Sequence, residues 1–228
     1  MQLIVKTRFR EFNEPFEGVV PWMYQDIKGL ITVGVGNLID PVSAATALPF
    51  QWKNKPGLKN AGLAASKADI EAEWKKIKVD PTLALKGHRA CESITNLELS
   101  DDAIDTLIGE RLQQNEAYLV KQTPFKGFDQ WPADAQMALL SMAWAMGPGG
   151  PPQFKTMAAA CEKLDFDKAA VNCRIDETGN PGVVPRNKAD KLLFENAAAV
   201  VAATLDYSVL YYPGIVMKPD VITAGSNP

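Results

Sequence analysis

From Ala135 to Met146 the chain reads Ala-Gln-Met-Ala-Leu-Leu-Ser-Met-Ala-Trp-Ala-Met, apolar nearly all round a helix. A helix of that kind has no face to offer water and must lie at the centre of its domain. Asp129-Gln130-Trp131-Pro132 opens it, and Gly147-Pro148-Gly149-Gly150-Pro151-Pro152 ends it abruptly. The rest of the chain must supply the elements that wrap it. At 228 residues, 46% hydrophobic and 22% charged, it has the makings of an ordinary globular protein, one good-sized domain or two small lobes.

The wrapping elements follow from periodicity. Leu3, Val5, Phe9 and Phe12 against Lys6, Arg8, Arg10 and Glu11 predict a helix over Leu3–Glu14, interrupted at Pro15. Residues 38–65 carry Pro41, Pro49, Pro56, Gly57 and Gly62 and read as a long loop, with Phe50 and Trp52 inside it. Trp52 either stacks on a ligand or pins the loop to the core. Ser66 caps a helix reaching Ile77, with Asp69 and Glu71 in its first turn. Thr82–Leu97 is ambiguous. Ser100-Asp101-Asp102 starts a helix to about Val120. Phe154–Leu164 and Phe166–Cys173 predict two short helices, and Lys188 to about Leu205 a last one. The tail follows, its end at Thr223–Pro228 expected to fray.

Composition excludes several classes. The net charge of −3 argues against a nucleic-acid partner, which favours a basic face. No run of about eighteen apolar residues appears, so no membrane insertion is expected. Met1–Arg8 lacks the apolar core of a signal peptide. With one histidine, His88, and three scattered cysteines, no metal site or cofactor is implied, and Ser-His or Cys-His chemistry is left only what His88 can serve. Cys91, Cys161 and Cys173 read as buried small hydrophobes, with a Cys161–Cys173 disulfide open in an oxidising compartment.

The candidate chemistry lies in one stretch, Glu17 to Asn37. Glu17 and Asp26 are carboxylates nine positions apart. Ile27-Lys28-Gly29 is a turn signal, and Leu30 to Val35 alternates like a strand. Ile31, Val33 and Val35 share one face; Thr32, Gly34 and Gly36 share the other, which is small and nearly bare. Bare backbone beside carboxylates is where a ligand approaches closely. Paired carboxylates suit glycoside hydrolysis, one donating a proton and one directing water or steadying the cationic centre.

The order Glu17, Gly18, Tyr24, Asp26, Gly29, Thr32, Gly34, Gly36 resembles the signature of the bacteriophage lysozymes, the endolysin-type muramidases. Asn37 departs from it, standing where that family usually has a structural His, at the loss of an ion pair. Residues 131–147 resemble the family's buried central helix. Residues 183–193 resemble its Arg-rich segment, with Arg186 and the acidic Asp190 kept. The resemblance covers roughly residues 7–205 and leaves 38–65 and the tail outside.

What the resemblance implies is an α+β, mostly helical, lysozyme-like fold: a small hairpin lobe and a larger helical lobe with a cleft between. The whole chain, 1–228, would be one catalytic domain with a hairpin lobe at about 17–65, including an insertion at 38–65. A helical lobe at about 66–205 and a tail at 206–228 complete it. Glu17 would be the general acid, in apolar surroundings beside Phe16 and Val19; Asp26 would stay ionised as the base; Thr32 would hold the water, with inversion of configuration. Tyr24, Gly36, Trp144 and Arg186 are candidate substrate contacts. Tyr24 is expected chiefly to pack the hairpin. Trp144 either meets substrate or belongs to the core, and Arg186 either reaches acidic wall-peptide groups or pairs with Asp190. The implied substrate is bacterial peptidoglycan, cut between N-acetylmuramic acid and N-acetylglucosamine. The protein would be a monomer made in the cytoplasm that acts in the periplasm, as a phage endolysin or as an antibacterial effector with an immunity protein. A chitinase- or chitosanase-like glycosidase and a non-catalytic wall-binding module are the alternatives. The insertion is expected to shape substrate access and to be dispensable for folding.

Overall fold

A computed structural model describes residues 1–214; the expected fraying of Thr223–Pro228 lies outside the described residues. The fold is mixed and mostly helical, with small antiparallel sheets. Its elements are α1 (Leu3–Glu17), β1 (Val20–Gln25), β2 (Ile31–Gly34), β3 (Asn37–Leu38), α2 (Val42–Ala45), β4 (Gln51–Trp52), α3 (Lys67–Lys78), α4 (Leu83–Lys86) and α5 (His88–Ile94). Next come β5 (Leu97–Glu98), α6 (Asp101–Leu119), α7 (Ala133–Met146), α8 (Lys155–Glu162), α9 (Phe166–Ala170) and α10 (Val184–Ala202). Among the described residues no helix is long and apolar enough to cross a membrane.

Two units emerge. One joins Met1–Phe16 to the residues from Arg111 onward, and the other is Glu17–Glu110, which passes the boundary at residue 65 drawn from the sequence.

In the first unit, every residue of α7 from Ala133 to Trp144 is buried, as its apolar run requires. α10 lies along it, and α8 and α9 pack on one another. Rings thread the same core, with Trp131 5.6 Å from both Phe128 and Phe166, and Phe166 6.3 Å from Phe194. Gln136 and Asp134 of α7 find polar partners inside this core. Gln136 donates to the carbonyls of Phe128 and Trp131 and accepts from the Gln2 amide at 2.6 Å. Asp134 accepts from the amides of Tyr211 and Tyr212 and from Asn196, and burial pushes its carboxyl upward. The start of the tail is thereby tied to the first turn of α7.

Two expectations for helix ends change. α1 runs through Pro15 to Glu17, because a proline near the end of a helix forfeits only one late hydrogen bond; Gly18, at φ +70°, ends it instead. α10 begins at Val184, earlier than Lys188, with Pro185 in its first turn, where a missing N–H costs nothing. All three cysteines are buried and free. Burial raises the thiol of Cys173 to about 12, and burial also pushes the Cys161 thiol upward.

In the second unit, β1, β2 and β3 form an antiparallel sheet in that order, with Tyr24 opposite Thr32 and Val33 opposite Asn37. β2 is the central strand. Ile31, Val33 and Val35 are buried as expected, but so are Thr32 and Gly34, so the second face is covered, not bare. Ser66 and Asp69 form a reciprocal capping box at the start of α3, and Ser100 accepts from the Ala103 amide at the start of α6. The ambiguous span becomes α4, α5 and β5. Buried Glu73, on α3, takes the amides of Asn96 and Leu97 at 2.6 and 2.9 Å and so ties α3 to β5. At the sheet's other end, Gln25 donates to the Ile77 carbonyl at 2.7 Å, and Lys78 pairs with Asp40 and donates to the Gly29 carbonyl at 2.9 Å.

The long loop expected at 38–65 is instead built into this unit. β4 pairs with β5, the Trp52 amide donates to Leu63 and the Ala65 amide to Phe50, and Phe50 is only 1% exposed. Its prolines and glycines mark frequent turns of an ordered segment. Phe50→Ala is therefore expected to lower unfolding free energy by about 3–5 kcal/mol, the scale of a buried Phe truncation, in urea titrations. Replacing residues 38–65 by a short Gly-Ser link should abolish the cooperative transition.

Candidate functional site

The turn between β1 and β2 is organised by Asp26. Its Oδ1 accepts the amides of Lys28 and Leu30 at 2.8 and 2.9 Å. Its own amide donates to the Leu30 carbonyl, and its carbonyl accepts from Gly29, which sits at φ +73°. This arrangement follows from the local sequence: an Asp with a Gly three residues on closes a tight turn upon itself. The carboxylate thus has one oxygen committed to the backbone, while Oδ2 remains available for other chemistry.

Tyr24 sits one strand position inside this turn, half-buried. Its phenol is raised by burial first, then by the charges of Asp26 and Glu17. The phenol therefore stays neutral. Thr32 lies opposite Tyr24 in the strand register, so the two side chains share a face. Thr32 is 5% exposed, and its hydroxyl meets the Leu30 carbonyl only at 3.5 Å, a weak contact that leaves it able to orient another partner. Tyr24 and Thr32 thus face one another across the strand pair, with Asp26 in the turn that follows β1.

The surroundings of Glu17 differ from expectation. It is exposed, the last residue of α1, while Phe16 and Val19 are half-buried. Phe16 turns its ring to Phe12, 5.4 Å away. The apolar enclosure expected around the acid is not formed by these two neighbours. Gly36, at φ +82°, lies exposed in the two-residue turn between β2 and β3. Asn37 closes that turn, its carboxamide accepting from the Val35 amide at 3.3 Å. A short side chain suffices for this contact.

Two other candidates lie within the core. Trp144 is 2% exposed, its ring 5.0 Å from Phe9 and under the guanidinium of Arg111 at 4.1 Å. Of the two roles open to it, the structure places it in the core. Arg186 is also 2% exposed; it donates to Asn13 and to the Ser141 hydroxyl, each at 3.0 Å, and lies 4.7 Å over Phe16. A guanidinium so enclosed is not presented to a wall peptide. Asp190 is fully buried and raised from 3.8 to about 7 by desolvation, against the opposing pull of the Ser141 hydroxyl and the Arg186 charge.

Sequence reasoning passed over Trp22 and His88. Trp22 is two positions before Tyr24, and the α5 start brings the His88 ring to 6.4 Å from Trp22 and 6.2 Å from Tyr24. The alternation of β1, with Met23 and Gln25 buried, was the available signal for Trp22; nothing local to His88 announced it. Among the described residues no three His, Cys, Asp or Glu side chains are grouped to hold a metal ion. No protein-family model matches the chain, and no curated protein matches it either.

Two outcomes separate structural from chemical roles. Asp26→Asn keeps an oxygen for both turn amides and should retain near wild-type stability. Asp26→Ala orphans them and should cost about 1–3 kcal/mol in chemical denaturation. For Asp190, the folded protein holds a proton that the unfolded chain has released, so this group's contribution to stability is full below about pH 4 and is lost as pH rises toward about 7. Asp190→Asn removes that dependence. Stability of the wild type relative to this variant should fall between pH 4 and 7 in urea titrations.

Proposed function

We propose that the chain is a lysozyme-like glycoside hydrolase acting on peptidoglycan, a muramidase that cleaves the β-1,4 bond between N-acetylmuramic acid and N-acetylglucosamine. The observation that carries this reading is the placing of Asp26 in the turn that follows β1, its Oδ1 fixed by two amides, with Thr32 directly across the strand pair from Tyr24. Two carboxylates at one site, one at a helix end and one fixed in a turn, are what glycoside hydrolysis uses. Glu17 donates a proton to the leaving glycosidic oxygen. Asp26, anchored through Oδ1, uses Oδ2 to take a proton from a water held by Thr32, and attack from that side inverts the anomeric centre. Tyr24, kept neutral, offers a hydroxyl donor to the substrate beside them.

A second reading is favoured by a particular observation: Asp26 has a complete structural role in its turn, and Glu17 is exposed. Both fit a wall-binding module without catalysis. Digestion of purified peptidoglycan, with chitin alongside, separates the readings. Hydrolysis is expected to release muropeptides with reducing-end N-acetylmuramic acid, seen by mass spectrometry, and the first product should be the α-anomer. Glu17→Gln keeps the side chain's shape and removes its transferable proton, so a loss of at least about a hundredfold in rate is expected. Near wild-type lysis by folded Glu17→Gln would overturn the assignment.

A further inference from the structure

Beside the two carboxylates, β1 and α5 assemble three aromatic rings from distant parts of the second unit. Tyr24 and Trp22 come from alternate positions of β1, whose intervening Met23 is fully buried. His88, exposed, is the first residue of α5 and lies between them, its ring centroid 6.2 Å from Tyr24 and 6.4 Å from Trp22. The indole is locked in place, because its Nε1 donates to the His88 carbonyl at 3.0 Å. From beneath, the Lys53 ammonium stands 4.7 Å from the centre of the Trp22 ring. Lys53 is 4% exposed and is itself held by the Thr95 hydroxyl at 2.6 Å and the Glu92 carbonyl. A buried cation thus covers one face of the indole, and Trp22 as a whole is half-buried.

We propose that Trp22 and His88 form a saccharide subsite that extends from the carboxylates along the Tyr24–His88–Trp22 strip and takes consecutive N-acetylhexosamine rings of a β-1,4-linked glycan. This rests on the glycosidase reading above and names where its substrate lies. Three physical facts carry it. A pyranose whose hydroxyls are equatorial turns a face of C–H bonds outward, and that positive-edged face suits the negative face of an aromatic ring. The His88 ring is inclined by 34° to Trp22 and by 69° to Tyr24, so a glycan along the strip meets ring faces and edges in turn. The strip begins at Tyr24, opposite Thr32 and one strand position inside the Asp26 turn, so a glycan lying on it passes that turn. The fixed indole and its buried backing mean that little side-chain freedom remains to be lost on binding.

The test uses chitohexaose as probe and the full chain throughout. In the Glu17→Gln background, which blocks turnover, Trp22→Ala and His88→Ala are each expected to weaken chitohexaose binding by about three- to tenfold in calorimetry, the scale of one aromatic contact. Trp22→Phe should recover most of the loss. In the otherwise native chain, both alanine variants should raise KM for peptidoglycan more than they lower kcat. Because Trp22 covers Lys53, the Ala variant risks misfolding; the exposed His88→Ala variant and the shift of the Trp22 indole N–H resonance on adding chitohexaose to Glu17→Gln protein provide independent readouts. Unchanged affinity in both alanine variants, with an unmoved indole resonance, overturns the subsite even if Glu17→Gln abolishes lysis. Weakened binding in a chain whose lysis is absent altogether supports the subsite while removing the hydrolase reading.

Discussion

The enclosure of α7 on every side governs the unit that contains it. Buried from Ala133 to Trp144, the helix keeps Asp134, Gln136 and Ser141 from water, so each of these side chains dictates the position of something else. Gln136 fixes the approach of the chain before it and the amide of Gln2. Asp134 fixes Asn196 on α10 and the turn at Tyr211 and Tyr212. Ser141 accepts from Arg186 on the same neighbouring helix. Unpaired, each group would impose a desolvation penalty of about 1–3 kcal/mol, so these contacts select one register of α10 against α7 rather than adding bulk stability.

The second unit is organised by a shorter-range constraint. Asp26 closes its turn from within, and Lys78 holds the Gly29 carbonyl from outside while pairing with Asp40. The hairpin tip is thus gripped from two sides. Such a turn keeps one carboxylate oxygen in a fixed direction without enclosing it. Precision and solvent access are combined by letting the backbone, instead of a pocket, orient the group.

How far this was legible depended on whether a local rule or a distant partner decided the outcome. α7 followed from its unbroken apolar run, the α3 start from Ser66 and Asp69, and the hairpin from Asp26, Gly29 and alternation, because each obeys a rule spanning a few residues. Residues 38–65 misled because proline and glycine density reports frequent turning and not lack of order. What orders the segment is β5, more than forty residues further on. Pro15 misled because a proline's cost depends on how much helix remains after it, which Gly18 decides. Trp144 and Arg186 illustrate a third limit, since exposure is a property of the packed chain and a motif carries no record of it. The Trp22–His88 pairing joins residues sixty-six positions apart, and only the fold makes it.

The three thiols described with the fold bear on a different matter, the chemical surroundings the chain can tolerate. Disulfide exchange and oxidation both proceed through the thiolate. Each of these cysteines is buried, and burial disfavours its thiolate. In the folded chain all three thiols are therefore slow to react, and none of the three is exposed to solvent. Its stability owes nothing to a covalent staple, so the packing around α7 and the hairpin must hold equally well in a reducing and in an oxidising medium.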